Sequence, residues 1–145
     1  VPAPAGEHAW SARDALVGSR DAEAAAVVAR FSVLPARLRA FVDAVRAAGA
    51  GRRAAWRVVG EAAGTGLVRL AGAGARSLVE AVHGLRDEAA RHEGSLVVVD
   101  APPEVHAAGL DPWGPPGDGF PLMKRLKDAL DPARVLNPGR YVGGL

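Results

Sequence analysis

Cysteine is absent from the 145 residues, which excludes a disulfide framework, a thiolate metal site and a cysteine nucleophile. Charge of one sign is scarce as well: 18 basic against 16 acidic residues leave +2, too small an excess to indicate a nucleic-acid partner. Lysine is confined to Lys124 and Lys127, so the basic set is nearly all arginine. No apolar run approaches the roughly 20 residues of a membrane-spanning helix. The opening VPAPAGEHAW lacks the basic, apolar and small-residue sections of a signal peptide. Its Pro-Ala alternation reads instead as an interdomain linker. The chain is therefore expected to be a cytoplasmic piece of something larger.

What is present suffices for one packed domain, since 49% of the residues are hydrophobic. A short helix is expected over Glu7–Val17. In AAAVVARFSVLP, Val27, Ala29, Phe31 and Val33 alternate with Val28, Arg30 and Ser32, the pattern of a half-buried strand. Pro35 opens a helix in which Leu38, Phe41, Val42 and Val45 recur at helical spacing, with Gly49 as its expected C-terminal cap. Two strand-like runs follow, 54–59 and 67–70, joined by a Gly-rich turn. A second helix places Leu78, Val82, Leu85 and Ala89 on one face and ends at Gly94. SLVVVD closes the series as a short buried strand.

Strand, helix, strand, strand, helix, strand is the order of a ferredoxin-like α+β fold, an antiparallel sheet with both helices on one face. The expected division is linker and short helix over 1–22, the ferredoxin-like body over 23–102, and a loop, helix and C-terminal arm of the same domain over 103–145. Strand alternation sends Arg30, Arg57 and Arg69 to the uncovered sheet face, with Glu61 and Asp100 nearby. Such arginines form either an ordinary solvated surface or a wall that binds an anion such as a substrate carboxylate.

Beyond Pro102 the chain reads as loop to Gly117, with Trp113 available as an apolar anchor in DPWG. Asp118 is placed to cap a helix whose Leu122, Met123, Leu126 and Leu130 form one stripe, Met123 being expected in core packing. Lys124, Arg125, Lys127 and Asp128 form its wet face. Asp131 before Pro132 stops that helix. NPGR then fits a type II turn with Pro138 and Gly139 at its centre.

Catalytic signatures are sparse. LVRLAGAGARSL, followed by LVVVD, imitates a dinucleotide-binding turn through Gly72 and Gly74, but the spacing to Asp100 is too long. His8, His83, His92 and His106 lack metal-ligand spacing, so no metal site is expected. No serine has a nucleophile-elbow context, and the catalytic residues stay unassigned.

PLMKRLKDALDPARVLNPGRYVGGL resembles the C-terminus of FAD-linked oxidases of the vanillyl-alcohol-oxidase type, most closely the FAD-binding subunit of bacterial glycolate oxidase. Leu122, Met123, Leu126, Lys127, Leu130, Asp131, Pro132, Leu136, Asn137, Pro138, Gly139 and Arg140 carry the likeness. WSARDAL and ARFSVLPARLRAF resemble the same family's entry into its C-terminal substrate, or cap, domain. The resemblance implies a part of a flavoprotein that oxidises a small 2-hydroxy acid, with FAD held by a preceding domain missing from this sequence. It further implies glycolate oxidase subunits as partners, and a cytoplasmic location peripheral to the inner membrane through them. Asn137 and Arg140 would bring the tail against the flavin domain, and Arg140–Leu145 would be poorly ordered here or borrowed by a neighbouring molecule. The alternative is a non-catalytic ferredoxin-like module that binds another protein.

Overall fold

A computed structural model describes residues 11, 13–16, 25–51, 54–72 and 74–145. Most of the expected linker and parts of the Glu7–Val17 helix lie outside these residues; residues 11 and 13–16 are helical. The chain divides into two compact units, Val1–Asp111 and Pro112–Leu145.

In the first unit the elements are β1 (Ala26–Ser32), α1 (Leu38–Gly51), β2 (Ala55–Gly60), β3 (Thr65–Ala71), α2 (Ala75–Arg91), β4 (Ser95–Asp100) and α3 (Pro103–Ala107). The sheet order is β2-β3-β1-β4 and every neighbouring pair is antiparallel. This is the ferredoxin-like α+β arrangement that the element order predicts.

Alternation in β1 buries Val27, Ala29 and Phe31, and the register sets Leu70 and Val68 beside the first two. Phe41 and Val45 of α1 join Leu78, Val82, Leu85 and Ala89 of α2 in the same core. The rings of Phe31 and Phe41 meet with centroids 4.8 Å apart. Truncating either ring to alanine would cost about 3–5 kcal/mol.

Three local readings are corrected. Gly49 does not cap α1; it lies inside the helix, where a Cβ would stand 2.5 Å from Trp56 Cδ1. Glycine is required there by the close approach of an indole. Pro35–Arg37 forms a 3-10 turn, and the α-helix proper begins at Leu38. The stretch after Pro102 holds α3, with Val105 fully buried and Leu110 nearly so. Its five residues are too few for periodicity to register. The break between units accordingly falls after Asp111.

At the end of α2, Gly94 N–H donates to Ala89 O at 2.8 Å and Glu93 N–H to Ala90 O at 3.1 Å. This is a Schellman closure with Glu93, at φ 55°, in the left-handed position that usually takes glycine.

The second unit is built around α4 (Phe120–Leu130). Its N-cap is Gly119, without a side-chain cap bond, so Asp118 does not play that part. Leu122, Met123, Leu126 and Leu130 are exposed instead of entering a core. The tail also departs from expectation. It is not an extended arm: Val142–Gly144 forms a 3-10 turn, Leu145 is buried, and Tyr141 N–H donates to Leu145 O at 3.2 Å. Trp113 supplies the anchor, its ring edge-on to Tyr141 at 4.8 Å and its Nε1–H donating to Arg140 O at 3.0 Å.

Candidate functional site

Strand register brings the three sheet arginines to one face. Arg57 on β2 stands directly opposite Arg69 on β3, Arg69 opposite Val28 on β1, and Val28 opposite Asp100 on β4. In the next row Arg30 lies between Leu67 and Val97. A guanidinium fork can bind a carboxylate through two parallel hydrogen bonds. Arg30 and Arg57 are exposed, whereas Arg69 is only 5% exposed. Asp100 lies two strands from Arg69, about 10 Å by strand spacing. Glu61 belongs to the β2–β3 turn, where its N–H donates to Thr65 O at 2.8 Å.

This face is not bare, as the element order alone suggested. Leu16 packs with Val28 and Leu67 in a second apolar cluster, joined by Val59. The short helical segment at 13–16 thus supplies cover that the strand-and-helix order does not reveal.

Among the described residues of the first unit, Arg86 is the other buried arginine. Its Nε donates to Leu96 O at 3.2 Å and its Nη2 to Asp111 O at 2.6 Å. Burial lowers its pKa, and the Asp111 carboxylate acts in the opposite sense. It ties α2 to β4 and to the last residue of the unit, a structural duty that its position on a helical face did not announce.

In the second unit the polar centre is Asp131, which the sequence marks only as a helix stop. Asp131 Oδ1 accepts from Val135 N–H at 3.0 Å, and Oδ2 from Leu136 N–H at 3.0 Å and Lys127 Nζ at 2.5 Å. Lys127, expected on the wet face, also donates to Leu136 O at 2.6 Å. The Lys127 hydrogen bond is the main cause that lowers the Asp131 pKa; desolvation opposes it, and the two backbone donors add to the lowering. A readable signal existed in hindsight: an Asp at a helix end, followed by free N–H groups four and five residues on, invites such a carboxylate turn.

This clasp sets the path into the Asn137–Arg140 turn. Arg140 N–H donates to Asn137 O at 3.2 Å, and Gly139 sits at φ 72°, as a type II turn requires. Asn137 and Arg140 then line one groove of about 730 Å³ together with Trp113, Leu126, Leu130 and Tyr141.

A dinucleotide turn needs neighbouring parallel strands around its glycines, whereas β1 separates β3 from β4 and is antiparallel to both. Gly72 and Gly74 therefore do not form a pyrophosphate site. No group of three or more metal-ligating side chains occurs among the described residues. Among them, too, no helix is long and apolar enough to cross a membrane.

Comparison with known families matches residues 114–141 to FAD linked oxidases, C-terminal domain. No curated protein and no solved structure matches the chain. The matched residues fall wholly inside the Pro112–Leu145 unit. The matched stretch includes Asp131 and the Asn137–Arg140 turn.

Proposed function

We propose that this chain is the substrate, or cap, domain of an FAD-dependent oxidase or dehydrogenase of the glycolate type, acting on a small 2-hydroxy acid. The observation that carries the reading is the match over 114–141, which spans the Asp131 clasp and the Asn137–Arg140 turn. FAD is held by another part of the protein, as the match to the C-terminal domain of FAD linked oxidases supports. Asn137 and Arg140 meet that part. Arg30, Arg57 and Arg69 orient the substrate carboxylate, since a guanidinium fork binds a carboxylate through two parallel hydrogen bonds.

The test uses the full-length polypeptide that contains these residues. It should purify with flavin absorption, and glycolate or lactate should bleach that absorption under anaerobic conditions. A colourless protein that takes up no FAD would overturn the reading. Replacing each sheet arginine by alanine should raise KM for the 2-hydroxy acid about 10- to 100-fold, the worth of a hydrogen bond to a charged group. Unchanged kinetics in all three variants would remove the carboxylate clamp and leave the family reading standing.

One observation favours a second reading: the family match lies outside the βαββαβ unit. A non-catalytic ferredoxin-like module that binds another protein through its sheet face would leave flavin reduction untouched by the arginine substitutions. It would lose a partner in co-purification instead.

A further inference from the structure

β2 is an outer strand of the sheet, and its outer edge is unguarded. Glu61 N–H donates to Thr65 O at the β2–β3 turn, which fixes the parity of the ladder. Arg57 and Val59 turn their backbone groups toward β3, while Trp56, Val58 and Gly60 turn theirs outward. Among the described residues, no backbone hydrogen bond from outside the β3 ladder reaches these outward groups. Edges that must stay single carry lysine, proline or a bulge. β2 has neither lysine nor proline, Arg57 is its sole charge, and its pairing with β3 runs without a register shift.

The opposite edge of the sheet is closed. By the same parity Leu96 O on β4 points away from β1, and Arg86 Nε donates to it at 3.2 Å. The β1–β4 ladder is also irregular between Val28 and Ala29. A strand arriving there would have to displace a buried guanidinium, whereas one arriving at β2 would displace only water.

The side chains of β2 match those of a second β2. We propose that two copies of the chain pair β2 to β2, antiparallel, about a two-fold axis at Val58, which joins their sheets into one. Each outward N–H and C=O of Trp56, Val58 and Gly60 then finds a partner. Trp56 stands opposite Gly60 of the second copy, where the absent side chain leaves room for the indole, and Val58 meets Val58. Arg57 stands opposite Val59, so the two like charges are offset. Neighbouring registers lose this match. An axis at Arg57 would set the two guanidinium groups directly opposite one another, which is destabilising, and an axis at Val59 would leave the outward groups of Trp56 facing the β2–β3 turn. A strand of another protein can use the same backbone groups, but the side-chain match belongs to β2 with itself, as a two-fold interface requires. The inference is independent of the flavin reading.

The test begins with sedimentation of the 145-residue chain, which should show a concentration-dependent dimer. Val58→Pro removes an outward N–H and no bond to β3, so the variant should keep a cooperative melt and sediment as a monomer. Val58→Cys would bring two Cα atoms about 5.5 Å apart, within reach of a disulfide. Since the chain has no cysteine of its own, mild oxidation should cross-link this variant. Val99→Cys, 56% exposed on β4, should stay unlinked. The proposal is overturned if the chain is a monomer at millimolar concentration, the result expected if the edge takes a strand of another protein. It is equally overturned if Val58→Cys does not cross-link, or if the dimer survives Val58→Pro and is dissociated by Leu126→Glu on α4 instead.

Discussion

Asp131 ends α4 and satisfies two backbone donors that the next turn would otherwise leave without partners. Its carboxyl is held below the ordinary value of 3.8, chiefly by the Lys127 hydrogen bond. The sign of the consequence follows. A carboxyl with a depressed folded pKa contributes its full stabilisation above the unfolded pKa and loses it as pH falls through the folded one. Asp131→Asn should therefore destabilise the clasp at neutral pH, and the gap between variant and parent should narrow as pH drops below about 4. Denaturant midpoints measured for both proteins across that range check this, and a gap that stays constant into acid would refute it.

At the scale of elements, what the sequence made legible followed from periodicity. The alternation of Val27, Ala29 and Phe31 and the helical spacing of Leu78, Val82 and Leu85 each belong to a segment long enough to show its period. Those segments are the expected strand and helix. α3 was illegible because one turn has no period, and Gly49 was misread because a cap and a close approach both call for glycine. Met123, expected in core packing, is exposed with the rest of its stripe, since periodicity marks an apolar face without saying whether anything covers it. Helix ends were less legible than helix bodies. Glu93 occupies a left-handed position at φ 55°, a conformation that costs an L-residue about 1–2 kcal/mol. Glu93→Gly should raise stability by about 1 kcal/mol, less than the full strain because glycine also loosens the unfolded chain. Thermal or chemical unfolding measures it, and a loss of stability would mean that the Glu93 side chain contributes more than its backbone costs.

For the whole molecule, the division after Asp111 separates the packed core from the matched segment. The first unit holds the hydrophobic core and the arginine row; the second holds the family match. The core cluster lies entirely between Val27 and Leu110, and Arg86 closes it on the Asp111 carbonyl. A chain ended after Asp111 should therefore keep its β-sheet circular dichroism and a cooperative unfolding transition, while residues 112–145 alone should lose most of their helix. Loss of cooperativity in the shorter chain would show that the C-terminal unit is needed for the core to form. The candidate sites were unequally legible for the same reason. Strand parity placed Arg30, Arg57 and Arg69 on one face without coordinates, but that Leu16 shares the face required a tertiary contact. The tail was legible as a helix stop and a turn, whereas its closure on Trp113 depends on residues 27 and 28 positions apart in the chain.

That closure has an optical consequence. Each unit carries its own described tryptophan: Trp56 packs on Gly49 with the Arg46 guanidinium 5.9 Å from its ring centre, and Trp113 meets Tyr141 edge-on. With Trp10 and Trp56 changed to phenylalanine, the remaining indole emission reports the second unit alone. Its fluorescence then follows the loosening of the tail separately from the melting of the sheet.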